Sequence, residues 1–307
     1  MSLSPKTVRW LEKNCAVSLQ GKTVLITGAN SGVGYKEAET SLYLGAAVIL
    51  ACRNPERAAA AQASLLRDYP GASVTVMRLD LADFASIDAF AGTIAAQQTD
   101  IDVFVNNAGV FRHPGRKTAD GFDLVIGTNY IGVYRLSEQL LPYLQTLPHE
   151  VVYINTISLI HKFVRKIRYA EFRDTSGAGS VGIYARSKLC LAKYSRALAE
   201  RYRNTNIRVL MIHPGIAVTP LGANAFGPVV RRLSGVFGFL FNSPEKSSLS
   251  LAYMLSRNLP AGSVAGPVRC FGGWGYPKKN RVLRRVKEGA EELIRETERA
   301  LSAEVPD

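Results

Sequence analysis

Short apolar runs of strand length alternate with longer amphipathic segments along most of this chain, and this alternation is what most limits its fold. The runs are almost continuous in Val, Ile, Leu and Ala, which is typical of strands buried on both faces of a parallel sheet. The predicted strands are Lys22–Thr27, Ala47–Ala51, Val74–Leu79, Val103–Asn106, Val151–Thr156, Arg208–His213 and, shorter, Val264–Phe271. We therefore predict the α/β class, with a doubly wound parallel sheet of about seven strands and helices on both faces.

The segments between the strands have the apolar spacing of helices that cover a sheet. The predicted helices are Val33–Leu44, Pro55–Asp68, Ser86–Gln97, Phe122–Gln145 and Ile183–Arg203. No internal repeat or long linker interrupts them, so we expect a single domain over residues 1–307 with its core at about residues 21–271.

Three segments depart from the alternation. Lys162–Gly182 is charged and then rich in Gly and Ser, which indicates a loop inserted ahead of the last of these helices. Leu221–Asn242 is too apolar for an ordinary surface loop. Arg281–Ser302 places apolar residues at helical spacing among charges, so we predict a C-terminal amphipathic helix.

Composition limits the class of protein. No apolar run reaches the roughly 18 residues that a membrane-spanning helix needs, and the first residues lack the apolar core of a signal peptide. The four histidines show no metal-ligand spacing, so no metal is expected. Widely spaced cysteines predict a reduced, cytoplasmic protein without disulfides. These are Cys15, Cys52, Cys190 and Cys270.

The formal net charge of +13 suggests an anionic partner, which is a nucleotide phosphate, a nucleic acid or a membrane surface. The densest basic clusters are Lys162 to Arg173, Arg231-Arg232 and Lys278 to Arg285. None alternates with stacking aromatic residues, so no nucleic-acid site is expected. A solvated basic surface is the alternative interpretation.

A glycine-rich turn, Thr27-Gly-Ala-Asn-Ser-Gly-Val-Gly34, follows the first predicted strand and opens the first helix. Glycines allow a tight turn and a close approach of backbone N–H groups to a pyrophosphate, which the helix N-terminus also attracts. This context predicts a Rossmann-type dinucleotide site. Its predicted contacts are Gly28, Asn30, Ser31, Gly32, Val33 and Gly34.

The end of the second strand should decide between the two nicotinamide dinucleotides. A carboxylate there would hold the free ribose 2′-OH, but this chain has Arg53, whose guanidinium can take a 2′-phosphate. NADP(H) is therefore favoured, with NAD(H) possible, unless Arg53 is simply exposed before a helix cap. Asp80, with Leu81 beside it, is placed to accept from the adenine amino group, and capping the next segment is its alternative role.

Tyr184 and Lys188 lie four residues apart on a predicted helix and so share one face. An ammonium about 4 Å from a phenolate stabilises it by about 4 kcal/mol at an effective dielectric constant of about 20. The pair is thus a candidate proton-transfer device in which Lys188 lowers the pKa of Tyr184. By itself the same spacing is also common on solvated helix faces.

With these motifs the chain resembles the short-chain dehydrogenase/reductase family over roughly Gly21 to Arg269. The family's motifs match the TGxxxGxG turn, Asn106-Asn107-Ala108-Gly109, Asn129, Ser158, the Tyr184/Lys188 pair, and Pro214-Gly215 with Thr219 beyond. Two positions depart from common family patterns: Ile157 replaces the first of two serines, and Ser31 stands where NADP-preferring members often carry a basic residue.

The resemblance implies roles for these residues. Tyr184 would be the general acid for carbonyl reduction and the general base for alcohol oxidation, and Lys188 would also hold the nicotinamide ribose. Ser158 would donate a hydrogen bond to the substrate oxygen, and Asn129 would hold a water that links Lys188 to solvent. Asn107, Ala108, Gly109, Pro214, Gly215 and Thr219 would contact the cofactor.

Three local runs resemble the branch of retinol dehydrogenases and WW-domain oxidoreductases: Ala51–Arg57, His213–Pro220 and Ser243–Lys246. That branch implies a hydrophobic alcohol or carbonyl substrate, such as a retinoid, a steroid or a long-chain aldehyde. Leu221–Asn242 would cover the substrate cleft, or pack as a lid without touching substrate. Peripheral membrane contact through Val236–Phe241 is a further expectation, as is a homo-oligomer formed through Phe122–Gln145 and Ile183–Arg203.

Two other functions remain open. Sugar-nucleotide epimerases and dehydratases also use a Tyr-xxx-Lys pair, although their TGxxGxxG glycine spacing differs from the spacing here. A non-catalytic, redox-sensing module on the same fold is the other alternative, although such a module would be expected to have lost Ser158, Tyr184 or Lys188.

Overall fold

The computed structural model describes residues 3–111, 115–216, 242–269 and 272–303. Thr219 and, apart from Asn242, the predicted lid Leu221–Asn242 lie outside the described residues. The predicted lipid-contact segment Val236–Phe241 lies outside them as well.

Among the described residues, one sheet of eight strands forms the centre of the fold, in the order β3-β2-β1-β4-β5-β6-β7-β8. The strands are β1 Thr23–Thr27, β2 Ala47–Cys52, β3 Val74–Arg78, β4 Val103–Asn106, β5 Val151–Thr156, β6 Ile207–Ile212, β7 Val264–Arg269 and β8 Trp274–Asn280. All neighbouring pairs are parallel except β7 and β8. The connection from β3 to β4 takes the chain from one half of the sheet to the other, and the strand order reverses between β1 and β4, so the predicted doubly wound parallel sheet is confirmed.

The edge strand β8 was not predicted, because its sequence WGYPKKN contains no apolar run. It pairs antiparallel with β7, and it carries Pro277, which is buried, and the exposed Lys278 and Lys279. Proline and exposed lysines at a sheet edge oppose pairing with another chain. The sheet therefore extends past the predicted core boundary at residue 271.

Helices cover both faces of the sheet. They are α1 Pro5–Asn14, α2 Gly32–Tyr43, α3 Pro55–Asp68, α4 Phe84–Ala96, α5 Leu124–Ile126, α6 Gly132–Gln145, α7 Ser180–Arg201, α8 Pro244–Leu255, α9 Arg284–Lys287 and α10 Ala290–Ser302. Helices α2, α3 and α8 bury apolar residues against one face, and α4, α6 and α7 against the other. No described helix is long and apolar enough to cross a membrane.

The predicted helix Phe122–Gln145 is interrupted. A π-helical turn, Gly127–Ile131, separates α5 from α6. At the start of α6, a Cβ on Gly132 would come within 2.1 Å of the Leu81 carbonyl oxygen. Glycine there lets this helix approach the segment after β3. Asn129 lies within the π-helical turn, so the interruption helps to set its position.

The C-terminal amphipathic helix Arg281–Ser302 is in fact two helices, α9 and α10. Glu288 is extended and ends the first helix, and Gly289, with a left-handed φ of +68°, is the N-cap of the second. Thr297 of α10 bonds Tyr130 (Oγ1 to Oη, 2.7 Å), and Glu298 accepts from the Tyr134 hydroxyl. The predicted oligomer stays a prediction, and α10 occupies part of the helix surface that it would use.

Helix α1 was also not predicted, although Ser4 is a residue type that caps helices and Pro5 is favoured at the first helical position. The Ser4 hydroxyl accepts from the Thr7 amide, and it donates to Glu245 of α8 at 2.6 Å. Trp10 stacks on Tyr276 of β8, with ring centroids 5.2 Å apart. Helix α1 therefore fastens the β8 edge to α8.

Candidate active site

A cavity of about 740 Å³ lies at the carboxyl ends of strands β1 to β6, across the point where the strand order reverses. Ligands of doubly wound sheets bind at this position. It brings together most of the predicted site residues: Gly28, Asn30, Ser31, Gly32, Val33, Arg53, Asp80, Leu81, Asn107, Ala108, Gly109, Ser158, Tyr184, Lys188, Pro214 and Gly215. Gly34 and Asn129 are packed behind the cavity wall.

The glycine turn is tied to the segment after β4. The Asn107 side chain donates to the Thr27 carbonyl (2.9 Å), and the Ala108 amide donates to the Thr27 hydroxyl (3.0 Å). Gly28 has a φ of +67°, and a Cβ there would lie 3.0 Å from the Ala108 Cα. A Cβ on Gly34 would lie 2.3 Å from the Asn107 amide nitrogen. This bare backbone beside the α2 N-terminus fits a dinucleotide pyrophosphate.

Two arginines stand at the far end of the cavity. Arg53 is exposed, with its Nε 4.0 Å from an Asp80 carboxyl oxygen. The other Asp80 oxygen accepts from the Ala82 amide at 2.9 Å, so Asp80 also has the capping role considered as its alternative. Arg57, which the sequence analysis missed, lines the same end. The signal was available, because Arg57 lies one turn beyond Arg53, at the start of α3, where Asn54 caps the helix.

Tyr184 is half-buried near the start of α7. Burial raises the pKa of its phenol, and hydrogen bonding with Ser158 lowers it to a smaller extent. Phe111 packs edge-on against the Tyr184 ring at a centroid distance of 4.9 Å. The predicted direction was the opposite, a pKa lowered by Lys188. The difference arises because a phenolate enclosed by apolar groups loses its hydration.

Lys188, one turn along α7, is 3% exposed. Its Nζ donates to the Thr156 carbonyl at 2.8 Å, and burial lowers the pKa of the ammonium to about 8. The ammonium is thus held at the end of β5, on the cavity wall beside Ser158. It lies within the cavity that contains Tyr184, where it is available to a ligand hydroxyl.

Asn129 holds the segment that follows the Asn107 motif. Its Oδ1 accepts from the Val110 amide at 2.7 Å, and its Nδ2 donates to the Val110 carbonyl and to the Ser187 hydroxyl. A Cβ on Gly109 would lie 3.1 Å from the Asn129 Oδ1 and 3.5 Å from the Lys188 Nζ. Asn129 therefore satisfies buried backbone groups, the alternative role, close to Lys188.

The cavity wall beyond Tyr184 is apolar, and the sequence analysis missed most of it. Phe163 is 76% exposed at the mouth, and Val181 and Ile216 are also exposed there. The wall consists of Val110, Phe111, Ile157, Leu159, Ile160, Phe163, Val181 and Ile216. Part of it comes from the short turn Leu159–Phe163 at the start of the inserted loop. Such a wall suits an apolar molecule.

The comparisons with known proteins agree with this geometry. The short chain dehydrogenase family model matches residues 22–170. Human retinol dehydrogenase 14 is 35% identical over an aligned length of 254 residues, and the alignment covers 78% of this chain and 75% of that protein. Bovine retinol dehydrogenase 12 is 34% identical over 91% of this chain and 88% of its own length. A crystal structure of an uncharacterised protein from Mycobacterium paratuberculosis matches with a TM-score of 0.74 and 29% identity, over 95% of this chain and 97% of that one.

Proposed function

The chain belongs to the short-chain dehydrogenase family and resembles its retinol dehydrogenases, and from that premise we propose that it interconverts apolar alcohols and carbonyls with NADP(H), using Tyr184 as general acid and base. Membership makes it an NAD(P)-dependent oxidoreductase. The observation that carries the finer proposal is the single cavity in which the glycine turn, Arg53, Ser158, Tyr184 and Lys188 meet an apolar wall.

The proposed chemistry divides between cofactor and protein. When bound, the nicotinamide supplies a hydride to the carbonyl carbon or takes one from the alcohol. During reduction, the Tyr184 hydroxyl donates its proton to the substrate oxygen as that oxygen gains charge. The Ser158 hydroxyl donates a hydrogen bond to the same oxygen. Because burial raises the pKa of Tyr184, the protonated phenol is its resting form, which suits reduction.

Lys188 and Asn129 support the same proton transfer from Tyr184. The Lys188 ammonium, which donates to the Thr156 carbonyl, is positioned to hold the nicotinamide ribose and to stabilise the phenolate after proton transfer. Asn129 braces Gly109 and Val110 against Ser187. The proton that Tyr184 loses returns from solvent along this polar side of the cavity.

The substrate class follows from the wall. Its residues offer almost no hydrogen-bond partner besides Ser158 and Tyr184, so a mainly apolar molecule with one oxygen at its reacting end suits it. Two of the relatives are named retinol dehydrogenases. We propose a retinoid, a steroid or a long-chain aldehyde. A sugar nucleotide would leave its hydroxyl groups without partners along this wall.

A substrate panel with both cofactors tests the proposal. Steady-state turnover of apolar aldehydes, ketones and alcohols is measured by absorbance of the reduced cofactor. Turnover of at least one apolar carbonyl with NADPH is expected. Tight NADPH binding without turnover across a broad panel would instead favour the redox-sensing alternative.

The arginine pair should govern the preference for NADP(H). We expect Arg53→Ala together with Arg57→Ala to raise the KM for NADPH by about 10- to 100-fold, because each guanidinium makes a charge-assisted contact with the 2′-phosphate. The KM for NADH should change by less than about threefold. Initial rates with each cofactor measure this difference.

Arg67→Ala is the matched control for the arginine pair. Arg67 lies near the other end of α3, away from the cavity, where it bonds Ser64 at 3.0 Å. The Arg67→Ala substitution removes a positive charge from the same helix, and it should leave the KM values for NADPH and NADH unchanged. Equal losses for NADPH and NADH in the double variant would count against 2′-phosphate recognition.

A further inference from the structure

Two segments that are far apart in sequence interlock beside the cavity. The first, here called the substrate loop, is residues 159–173 and supplies Leu159, Ile160 and Phe163 to the apolar wall. The second, the C-terminal brace, is residues 281–303 and contains α9 and α10. No described residue of the C-terminal brace lines the cavity.

Arg285 of α9 makes the closest connection between them. Its Nη1 donates to the Lys162 carbonyl at 3.0 Å and to the Val164 carbonyl at 2.8 Å. These carbonyls lie at the C-terminal end of the turn Leu159–Phe163, which leaves them without partners inside the turn. One positively charged side chain therefore caps the turn that carries the apolar wall.

A second arginine makes the reciprocal connection. Arg173, at the end of the substrate loop, donates to the Ala300 carbonyl at 2.9 Å and the Ala303 carbonyl at 3.1 Å, at the C-terminus of α10. Its guanidinium also stacks over Phe122. Each segment thus supplies the arginine that caps the other, and the two must be placed together.

The C-terminal brace is itself fixed in the core. Val286 of α9 and Leu293 of α10 are buried against the face of the sheet that carries α7. Thr297 bonds Tyr130, which follows Asn129 in the chain. Within the substrate loop, the His161 ring contacts the carbonyl of Ser158. A continuous set of contacts therefore runs from the core through Arg285 and the substrate loop to Ser158, which would bond the reacting oxygen.

We propose that Arg285 is a positioning residue that holds the substrate loop in the position where it completes the apolar wall, so that the C-terminal brace determines affinity for the carbonyl substrate and not for the cofactor. The part of this inference that concerns substrate affinity rests on the proposed function. The glycine turn and Arg53 have no contact with the brace among the described residues, which is why cofactor binding should be spared.

The chain offers a matched control in the next residue. Arg284 is 90% exposed and pairs only with Glu288, one turn along, among the described residues. Arg284→Met and Arg285→Met remove the same charge from the same helix, but only the second removes the bonds to Lys162 and Val164. Arg285→Lys keeps the positive charge but replaces the planar guanidinium, whose Nη1 makes both bonds, with an ammonium, and it serves if Arg285→Met does not fold.

The first readout is kinetic. We expect Arg285→Met to raise the KM for an apolar carbonyl by about tenfold, with kcat within about threefold and the Kd for NADPH within about twofold of the parent. The KM of Arg285→Lys for the carbonyl should lie between those of Arg285→Met and the parent. The KM of Arg284→Met should equal that of the parent. A purely structural role would instead lower kcat, NADPH affinity and Tm together, and that result would overturn the proposal.

The second readout needs no activity. Limited trypsin digestion mapped by mass spectrometry reports opening of the substrate loop, which carries Lys162, Arg165, Lys166 and Arg168 as cleavage sites. We expect faster cleavage there in Arg285→Met than in the parent and in Arg284→Met, and equal cleavage in all variants would overturn the proposal. If the parent protein turns over no carbonyl, the proposed function fails, and the digestion still decides whether Arg285 holds the loop.

Discussion

Tyr184→Phe should lower kcat for carbonyl reduction by about 10²- to 10⁴-fold, the contribution expected of a positioned general acid. The substitution removes the phenolic proton donor from the cavity in which Ser158 also lies. The ring and its packing against Phe111 remain. NADPH should still bind, because the glycine turn and the arginine pair are untouched. Steady-state kinetics and quenching of NADPH fluorescence measure the two effects.

Tyr194→Phe is the control for this change. Tyr194 is buried on the same helix, but its hydroxyl donates to Glu138 at 2.7 Å, outside the cavity. Glu138 keeps its ion pair with Arg201, so the fold should survive. Turnover in Tyr194→Phe should stay close to that of the parent. If Tyr184→Phe keeps more than about a tenth of parental kcat, Tyr184 is not the general acid.

Glu37→Gln should raise the free energy of unfolding at alkaline pH by about 5 kcal/mol. Glu37 lies on α2, is fully buried, and has no hydrogen-bond partner for either carboxyl oxygen among the described residues. Burial raises the pKa of its carboxyl from 4.5 to about 8. The predicted gain follows because each unit of that shift is worth about 1.36 kcal/mol, and glutamine has the shape of the neutral acid.

The pH dependence gives this prediction its sign. Between the unfolded and folded pKa values the folded protein binds more protons than the unfolded chain, so stability falls as the pH rises from about 5 to about 8. Above about pH 8 both states are ionised, and the loss levels off. The advantage of Glu37→Gln should therefore be near zero at pH 5 and reach its maximum near pH 9, which urea denaturation at several pH values measures.

Glu56→Gln is the matched control. Glu56 is exposed in the first turn of α3, so its loss should change stability by no more than about 0.5 kcal/mol at any pH. A stability difference for Glu37→Gln that stays constant with pH would show that the Glu37 carboxyl does not titrate as burial requires.

Local rules predicted the centre of this fold and failed at its margins. The strands β1 to β7 were recognisable because each is an apolar run between turn residues. Strand β8 was missed because an edge strand with Pro277 and two lysines carries no apolar signal, and it forms only because β7 offers it a partner. Helix α1 depends likewise on contacts with Glu245 and Tyr276, distant in sequence.

The site residues likewise fall into those that local sequence patterns predicted and those that they did not. Backbone-defined elements such as the glycine turn are local, so Gly28 and Gly34 could be recognised from spacing alone. The apolar wall is assembled from four separate segments, and no local pattern marks Val110, Ile160 or Val181 as neighbours. The direction of the Tyr184 pKa was wrong for a related reason, since burial depends on everything packed around the ring.

By itself the sequence determined the α/β class, the order of its elements and the residues able to bind a dinucleotide and transfer a proton, because these depend on short-range periodicity and on residue types at short spacing. Only the tertiary structure decided how those residues are used. It enclosed Tyr184 and Lys188 so that desolvation dominates both pKa values. It also brought Arg285 to the substrate loop across more than a hundred residues, a contact that arises only when the chain is folded.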